Sequence, residues 1–269
     1  MNYRVEQNRS NRIFLTCIYW AFVLYVFVPL ILMVMMGFKD SKFIGFPIRS
    51  WTLEWYTGVF ADTDVLFIFG YSVAIAVLST LISVIIGTWI AVLLEGQKFV
   101  GRAVIFGLTI LPALVPGIIS AIAFRIYARW LGIEPGMGAV IWAHAVHNVP
   151  FVVLVVMARM STLPKSQIEA ARDLGADPFI AFLRITMPYL VPAILGASIF
   201  CLLLSFDDFV RSFFLGGYQP TLPVYIFAML RSGMSPEINA IATIALILTA
   251  AIGIWAERFT RRMKKEGDT

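Results

Sequence analysis

The chain has 269 residues, 60% of them hydrophobic and only 14% charged; a soluble domain has roughly half and a quarter, so it is read as one membrane domain spanning 1–269 rather than two soluble ones. Its net charge of +5 does not make a nucleic-acid face, which needs Lys and Arg clustered on a water-facing surface, whereas here they fall between apolar runs. Cys17 and Cys201 lie inside those runs, with neither metal-ligand nor disulfide spacing, and are read as small apolar residues.

Arg4, Arg9 and Arg12 precede the first apolar run in the manner of a secretory signal. The run 13–38 is too long for one and no small-residue cleavage site follows a short core, so it is expected to be a retained span. Charge-free stretches follow at 65–94, 103–124, 136–158, 185–206 and 238–256, each able to cross a hydrocarbon core about 30 Å thick as a helix of about 20 residues. The expected fold is an all-α integral membrane protein with six transmembrane helices.

Several features mark these elements in chain order. The outer loop 39–64 carries Trp51, Trp55 and Tyr56, which suit an interfacial aromatic belt or ligand stacking. Pro112 and Pro116 in the third span, and Pro188 and Pro192 in the fifth, remove backbone donors and predict kinks. On the fourth span His144 and His147 stand three apart, placed to face a polar cavity or to be buried and hydrogen-bonded; with no third ligand they do not make a zinc site. The uncharged stretch 212–230 is punctuated by Gly216, Gly217, Pro220 and Pro223, so a lipid-exposed helix there would leave backbone groups unsatisfied. It is read as a re-entrant or outer-face segment.

Lys and Arg favour the cytoplasmic side of short loops. The N-tail has three, the loop 95–102 two, the loop 159–184 four and the C-tail five, against seven on the other loops. Both termini are therefore placed in the cytoplasm, with Arg125 and Arg129 on the short third loop as exceptions. The tail Arg258, Arg261, Arg262, Lys264 and Lys265 argues against a seventh crossing.

The loop between the fourth and fifth spans has the signals of a soluble helical segment. Ser166 and Glu169 have capping-box spacing, Ile168, Ala171 and Leu174 fall on one face, and Gly175 is placed to end the helix in the left-handed conformation. Asp177 and Pro178 then read as the N-cap and first residue of a second helix running into the fifth span. The small Ala170 and Ala171 permit close approach of another protein; the alternative is an amphipathic connector resting on lipid headgroups.

Glu169-Ala170-Ala171, three residues, Gly175, nine residues and Ile185-Thr186-Met187-Pro188 resemble the "EAA" loop of the inner-membrane permeases of type I ABC importers. Only Met187 departs, where the family has Leu. The resemblance implies that 159–184 is a coupling loop, with Glu169, Ala170, Ala171, Asp173, Gly175 and Pro178 seated against a dimeric ATPase subunit. The chain has no G-x-x-x-x-G-K-[ST] motif, so it is expected to be no enzyme and to carry no cofactor; ATP and Mg belong to the partner ATPase. The implied assembly also contains a sister permease in pseudo-symmetric pairing and a soluble substrate-binding protein, in a bacterial inner membrane.

Leu204-Ser-Phe-Asp-Asp-Phe-Val210, Thr221-Leu-Pro223 and Ser235-Pro-Glu-Ile-Asn-Ala-Ile-Ala-Thr243 are similar to the spermidine/putrescine class of these permeases. A polyamine is a set of ammonium groups on an apolar stem, so Asp207 and Asp208, with Phe206, Phe213, Phe214 and Tyr218, form a candidate substrate path. Alternatively Asp208 pairs with Arg211 as a structural clasp while Asp207 meets interfacial water. Glu237 either complements the dipole of the sixth helix or binds an amine. Related permeases take ferric ion, opines or amino-acid derivatives. An intramembrane enzyme lacks support, since neither H-E-x-x-H nor G-x-S-x-G occurs, and an ATPase-independent channel or scaffold is the remaining rival.

Overall fold

The computed structural model describes residues 9–41, 45, 47–96, 99–233 and 235–267, with side chains from residue 12 to residue 258. Arg4 lies outside the described residues, as do the side chains of Arg9, Arg261, Arg262, Lys264 and Lys265 that entered the charge count.

Within the described residues the chain is helical throughout: α1 (Arg9–Gly37), α2 (Glu54–Ala61), α3 (Thr63–Gly96), α4 (Arg102–Leu114), α5 (Gly117–Trp130), α6 (Met137–Met160), α7 (Lys165–Asp173), α8 (Pro178–Ala181), α9 (Met187–Phe206), α10 (Phe209–Leu215), α11 (Leu222–Ser232) and α12 (Pro236–Gly267). Five segments are long and apolar enough to cross a membrane: Arg12–Gly37, Thr63–Gly96, Met137–Met160, Pro178–Phe206 and Pro236–Arg258. The α4 and α5 pair makes a sixth if it counts as one broken span. The helices divide between two compact units, one of residues 1–62 and 229–246, the other of 63–228 and 247–269.

In the first unit the outer loop is folded onto itself. Lys39 and Trp51 form an isolated backbone bridge, the Trp55 indole donates to the Lys39 carbonyl at 2.9 Å, and the Phe38 and Tyr56 rings stand 4.6 Å apart. Trp51 keeps an exposed side chain, as an interfacial residue would. The apolar side chains of α1 are exposed along most of the helix.

The second unit is built on α3, α6 and α9. Val149, Val152, Val153 and Val156 recur at helical spacing on α6 and meet Ala91 and Leu94 of α3 and Leu190, Ala197 and Cys201 of α9. Ser72, Ala76, Ser79, Ser83 and Ala91 make a buried small-residue face on α3, which lets the backbones close together. Gly87 continues that close approach: a Cβ there would stand 2.7 Å from Val152 Cβ.

Two spans depart from straight helices, both at prolines. The third does not run unbroken over 103–124. Val115 is extended (φ −77°, ψ 130°) ahead of Pro116, as sterics before proline require, and α4 and α5 meet at 108°. Arg125 and Arg129 consequently lie within α5, not on a loop. The fifth span starts at α8 and passes through a π-helical turn, Phe182–Thr186, before α9. Pro188 has no N–H for the Arg184 carbonyl and its ring crowds that carbonyl; the Met187 N–H reaches back five residues to Phe182 instead.

The stretch 212–230 is two short helices, the end of α10 and most of α11, rather than a span. Backbone groups at its helix ends are paired with other parts of the protein. The Gly136 N–H donates to the Leu215 carbonyl at 2.9 Å and the Leu222 N–H to Ser72 Oγ at 2.7 Å.

Candidate coupling loop and outer gate

The capping box foreseen for α7 does not form. Pro164 occupies the N-cap position with no side-chain cap, and the Gln167 N–H donates to its carbonyl at 3.2 Å. Because the helix opens one residue before Ser166, that serine is already inside the first turn, where its hydroxyl cannot cap. The C-terminal end follows the sequence. Gly175 sits at φ +84°, its N–H donates to the Arg172 carbonyl at 2.9 Å and the Ala176 N–H to the Ala171 carbonyl at 3.0 Å, a Schellman closure. Asp177 Oδ1 then accepts the Phe179 N–H at 2.8 Å, with Pro178 as the first residue of α8.

Ile168 and Ala171 are half-buried, whereas Leu174, one residue past the helix end, is 90% exposed and Phe179 is also exposed. Glu169, Ala170, Asp173, Gly175 and Pro178 share that exposure. The segment thus offers an acidic and apolar knob on a turn of defined shape. Such a surface can seat in a cleft of another protein.

At the other end of the same helices lies a closed polar cluster. Asp208 caps α10, Oδ1 accepting the Arg211 N–H at 2.9 Å while Oδ2 accepts from Arg211 Nη1. The Asp208 and Arg211 side chains are 9% and 8% exposed. His144 Nε2 lies 4.0 Å from Asp208 Oδ2 and 3.3 Å from Ser212 Oγ. On its other side His144 Nδ1 meets Ser205 Oγ at 2.7 Å, and Ser205 Oγ meets Ser79 Oγ at 2.8 Å. Four elements, α3, α6, α9 and α10, are tied through one imidazole.

The two neighbouring aspartates therefore do not act as one anionic patch. Asp207 occupies the C-cap position of α9 and is exposed; partial burial, and then the charge of Asp208, push its carboxyl above the usual aspartate range. Phe206 is buried. Phe213 and Phe214 join a ring cluster between α10 and α11, with Phe209 and Phe227 of α11 4.8 Å apart and Phe213 5.4 Å from Phe209. Tyr218 is fully exposed between α10 and α11. Glu237 lies in the first turn of α12, in the other compact unit. His147 is half-buried and lines, with Pro112, Ser120 and Arg211, a cavity of about 30 Å³, room for about one water.

Ser79, Ser205 and Ser212 were not singled out from sequence. The available signal was weak: Ser72, Ser79 and Ser83 recur at helical intervals on one face of a charge-free span.

Residues 83–265 match the family described as binding-protein-dependent transport system inner membrane component. The chain is 32% identical over 257 residues, 95% of each chain, to the spermidine/putrescine transport system permease protein PotC of Escherichia coli (strain K12). It is 31% identical over 250 residues, covering 90% of this chain and 89% of the other, to the putrescine transport system permease protein PotI of the same organism. Among solved structures it is similar to a bacterial ABC transporter involved in import of the acidic polysaccharide alginate, at TM-score 0.72 and 17% identity over 95% of this chain and 96% of that one. It is also similar to the MetNI methionine ABC transporter, at TM-score 0.62 and 20% identity over 71% of this chain and 92% of that one.

Proposed function

The chain belongs to the binding-protein-dependent transport system inner membrane component family, the permeases of type I ABC importers, and on that premise we propose that it forms half of an import path for a polyamine of the spermidine or putrescine kind. The observation that carries the cargo is the 32% identity to PotC along 95% of the chain. The site chemistry agrees with it: Asp207 is an exposed carboxylate at the end of the fifth span, two residues before the ring cluster that starts at Phe209, and carboxylates and aromatic faces both attract ammonium groups. Asp208, engaged by Arg211, acts in this reading as the latch of the outer gate.

Transport of this family depends on a binding protein and an ATP-hydrolysing subunit. In our reading both termini are cytoplasmic, and the exposed surface of Glu169, Ala170, Asp173, Gly175 and Pro178, with Ala171 beneath it, seats in a dimeric ATPase that binds ATP and Mg. A sister permease supplies the other half of the path. Closure of the ATPase dimer then rocks the permease pair between outward-open and inward-open states.

ATP hydrolysis by the reconstituted complex tests the cargo. Stimulation by binding protein loaded with spermidine or putrescine is expected, and silence with both, or a response only to ferric ion or an amino-acid derivative, overturns it. Gly175→Asp and Glu169→Lys are expected to abolish copurification of the ATPase subunit. Full transport by both variants would remove the loop from the coupling role.

A further inference from the structure

The exposed loop hangs between the last turn of α6 and the first turn of α9, and its base is closed by side chains that docking does not use. Arg159 Nε donates to the Tyr189 carbonyl at 3.2 Å, and its guanidinium lies 3.9 Å over the Tyr189 ring. The Tyr189 hydroxyl donates to the Thr162 carbonyl at 3.1 Å and stands 2.9 Å from Thr162 Oγ1. Every residue implicated in docking, from Glu169 to Pro178, falls between these anchors.

The same two helices are joined at two further levels. Asn148 Nδ2 donates to the Cys201 carbonyl at 3.2 Å, and Cys201 Sγ lies 3.8 Å from the Asn148 carbonyl. Beyond that, His144 meets Ser205, and Ser205 leads into Asp208 and α10 through His144. Partners descend on α6 as they ascend on α9, so the ties are rungs between antiparallel helices.

One element in this frame can yield. The π-helical turn Phe182–Thr186 lies between the loop and α9, and such wide turns interrupt the regular hydrogen-bond ladder that stiffens a helix. A push on the loop would bend the chain there unless the helix beyond it were held. Tyr189 stands three residues past the turn, its ring held by Arg159 in the last turn of α6 and its hydroxyl by Thr162 in the turn that follows.

We infer that Tyr189, held by Arg159 and Thr162, is a positioning residue that clamps the fourth and fifth spans into one lever, so that displacement of the loop reaches the outer gate instead of being absorbed at the π-helical turn. This rests on the loop being the ATPase contact.

The test uses the full complex of permeases, ATPase and binding protein in lipid. Gln219→Cys, in the exposed connection between α10 and α11, reports gate movement as the change in maleimide labelling rate between nucleotide-free and vanadate-trapped states, with Cys17→Ser as background. Tyr189→Phe and Thr162→Val keep bulk while removing the hydroxyl pair. Each is expected to leave ATPase copurification and basal hydrolysis unchanged while cutting the nucleotide-dependent labelling change at least about fivefold, the scale of a coupling energy of about 1 kcal/mol. The double variant is expected to be no worse than Tyr189→Phe alone, because the Thr162 side chain reaches Tyr189 only through its hydroxyl. An unaltered labelling change, loss of the bound ATPase, additive losses, or no nucleotide response in the parent would each overturn the clamp. Failure of the loop reading looks different: Gly175→Asp would then retain both ATPase and gate response.

Discussion

The two ends of the α6 and α9 pair hold polar residues under opposite conditions. At the loop end Glu169, Asp173 and Asp177 are open to solvent, and what orders them is local: a left-handed glycine, a Schellman closure and one aspartate cap. At the gate end Asp208, Arg211 and His144 are shut away: Asp208 and Arg211 pair within α10, and His144 is held by serines of α9 and α10. An exposed charge costs little to leave unpaired, so the loop can hold its acids ready for another molecule. A buried charge must be satisfied within the chain, so the gate spends its hydrogen-bonding capacity on itself.

That contrast predicts unequal sensitivity to single substitutions. Asp208→Ala strands the Arg211 guanidinium in a site that is 8% exposed and removes the α10 cap; it is expected to destabilise the permease by about 3–5 kcal/mol, read as a large fall in the thermal midpoint of the purified complex. A midpoint unchanged within about 1 °C would show that water reaches the gate freely. Ser205→Ala removes the hydroxyl that joins His144 to Ser79 and leaves buried groups unpartnered, at about 1–3 kcal/mol. Adding Ser79→Ala should then cost little more in the same melting experiment, since its partner is already gone. Asp177→Ala deletes an exposed cap, expected at about 1 kcal/mol and confined to α8. Its melting curve should barely shift, and a fall as large as that of Asp208→Ala would mean that loop and gate do not differ in the way proposed.

The same contrast governs how far each region was legible. Gly175, Asp177 and Pro178 carry their conformation in their own chemistry, and the structure places all three as their types demand. Ser166 misled because a capping box needs the helix to begin at one particular residue, and Pro164 began it earlier. Pro112 and Pro116 announced a kink, but the 108° break exceeds what a missing donor alone predicts. The gate was half legible. Asp208 and Arg211 stand three residues apart, whereas Ser79, His144 and Ser205 are separated by 61 residues or more and no local rule connects them.

Residue chemistry alone marks the order of the apolar runs, the glycine stop and aspartate cap of the loop end and the prolines near which helices break, because length, charge, glycine and proline act through the backbone on which they sit. Packing sets the rest: that Asp207 stays open while Asp208 is closed, that His144 joins four elements, and that Tyr189 is gripped by Arg159 and Thr162 at the end of α6. Those outcomes depend on which faces of α3, α6 and α9 meet, and burial then assigns each polar group its partner.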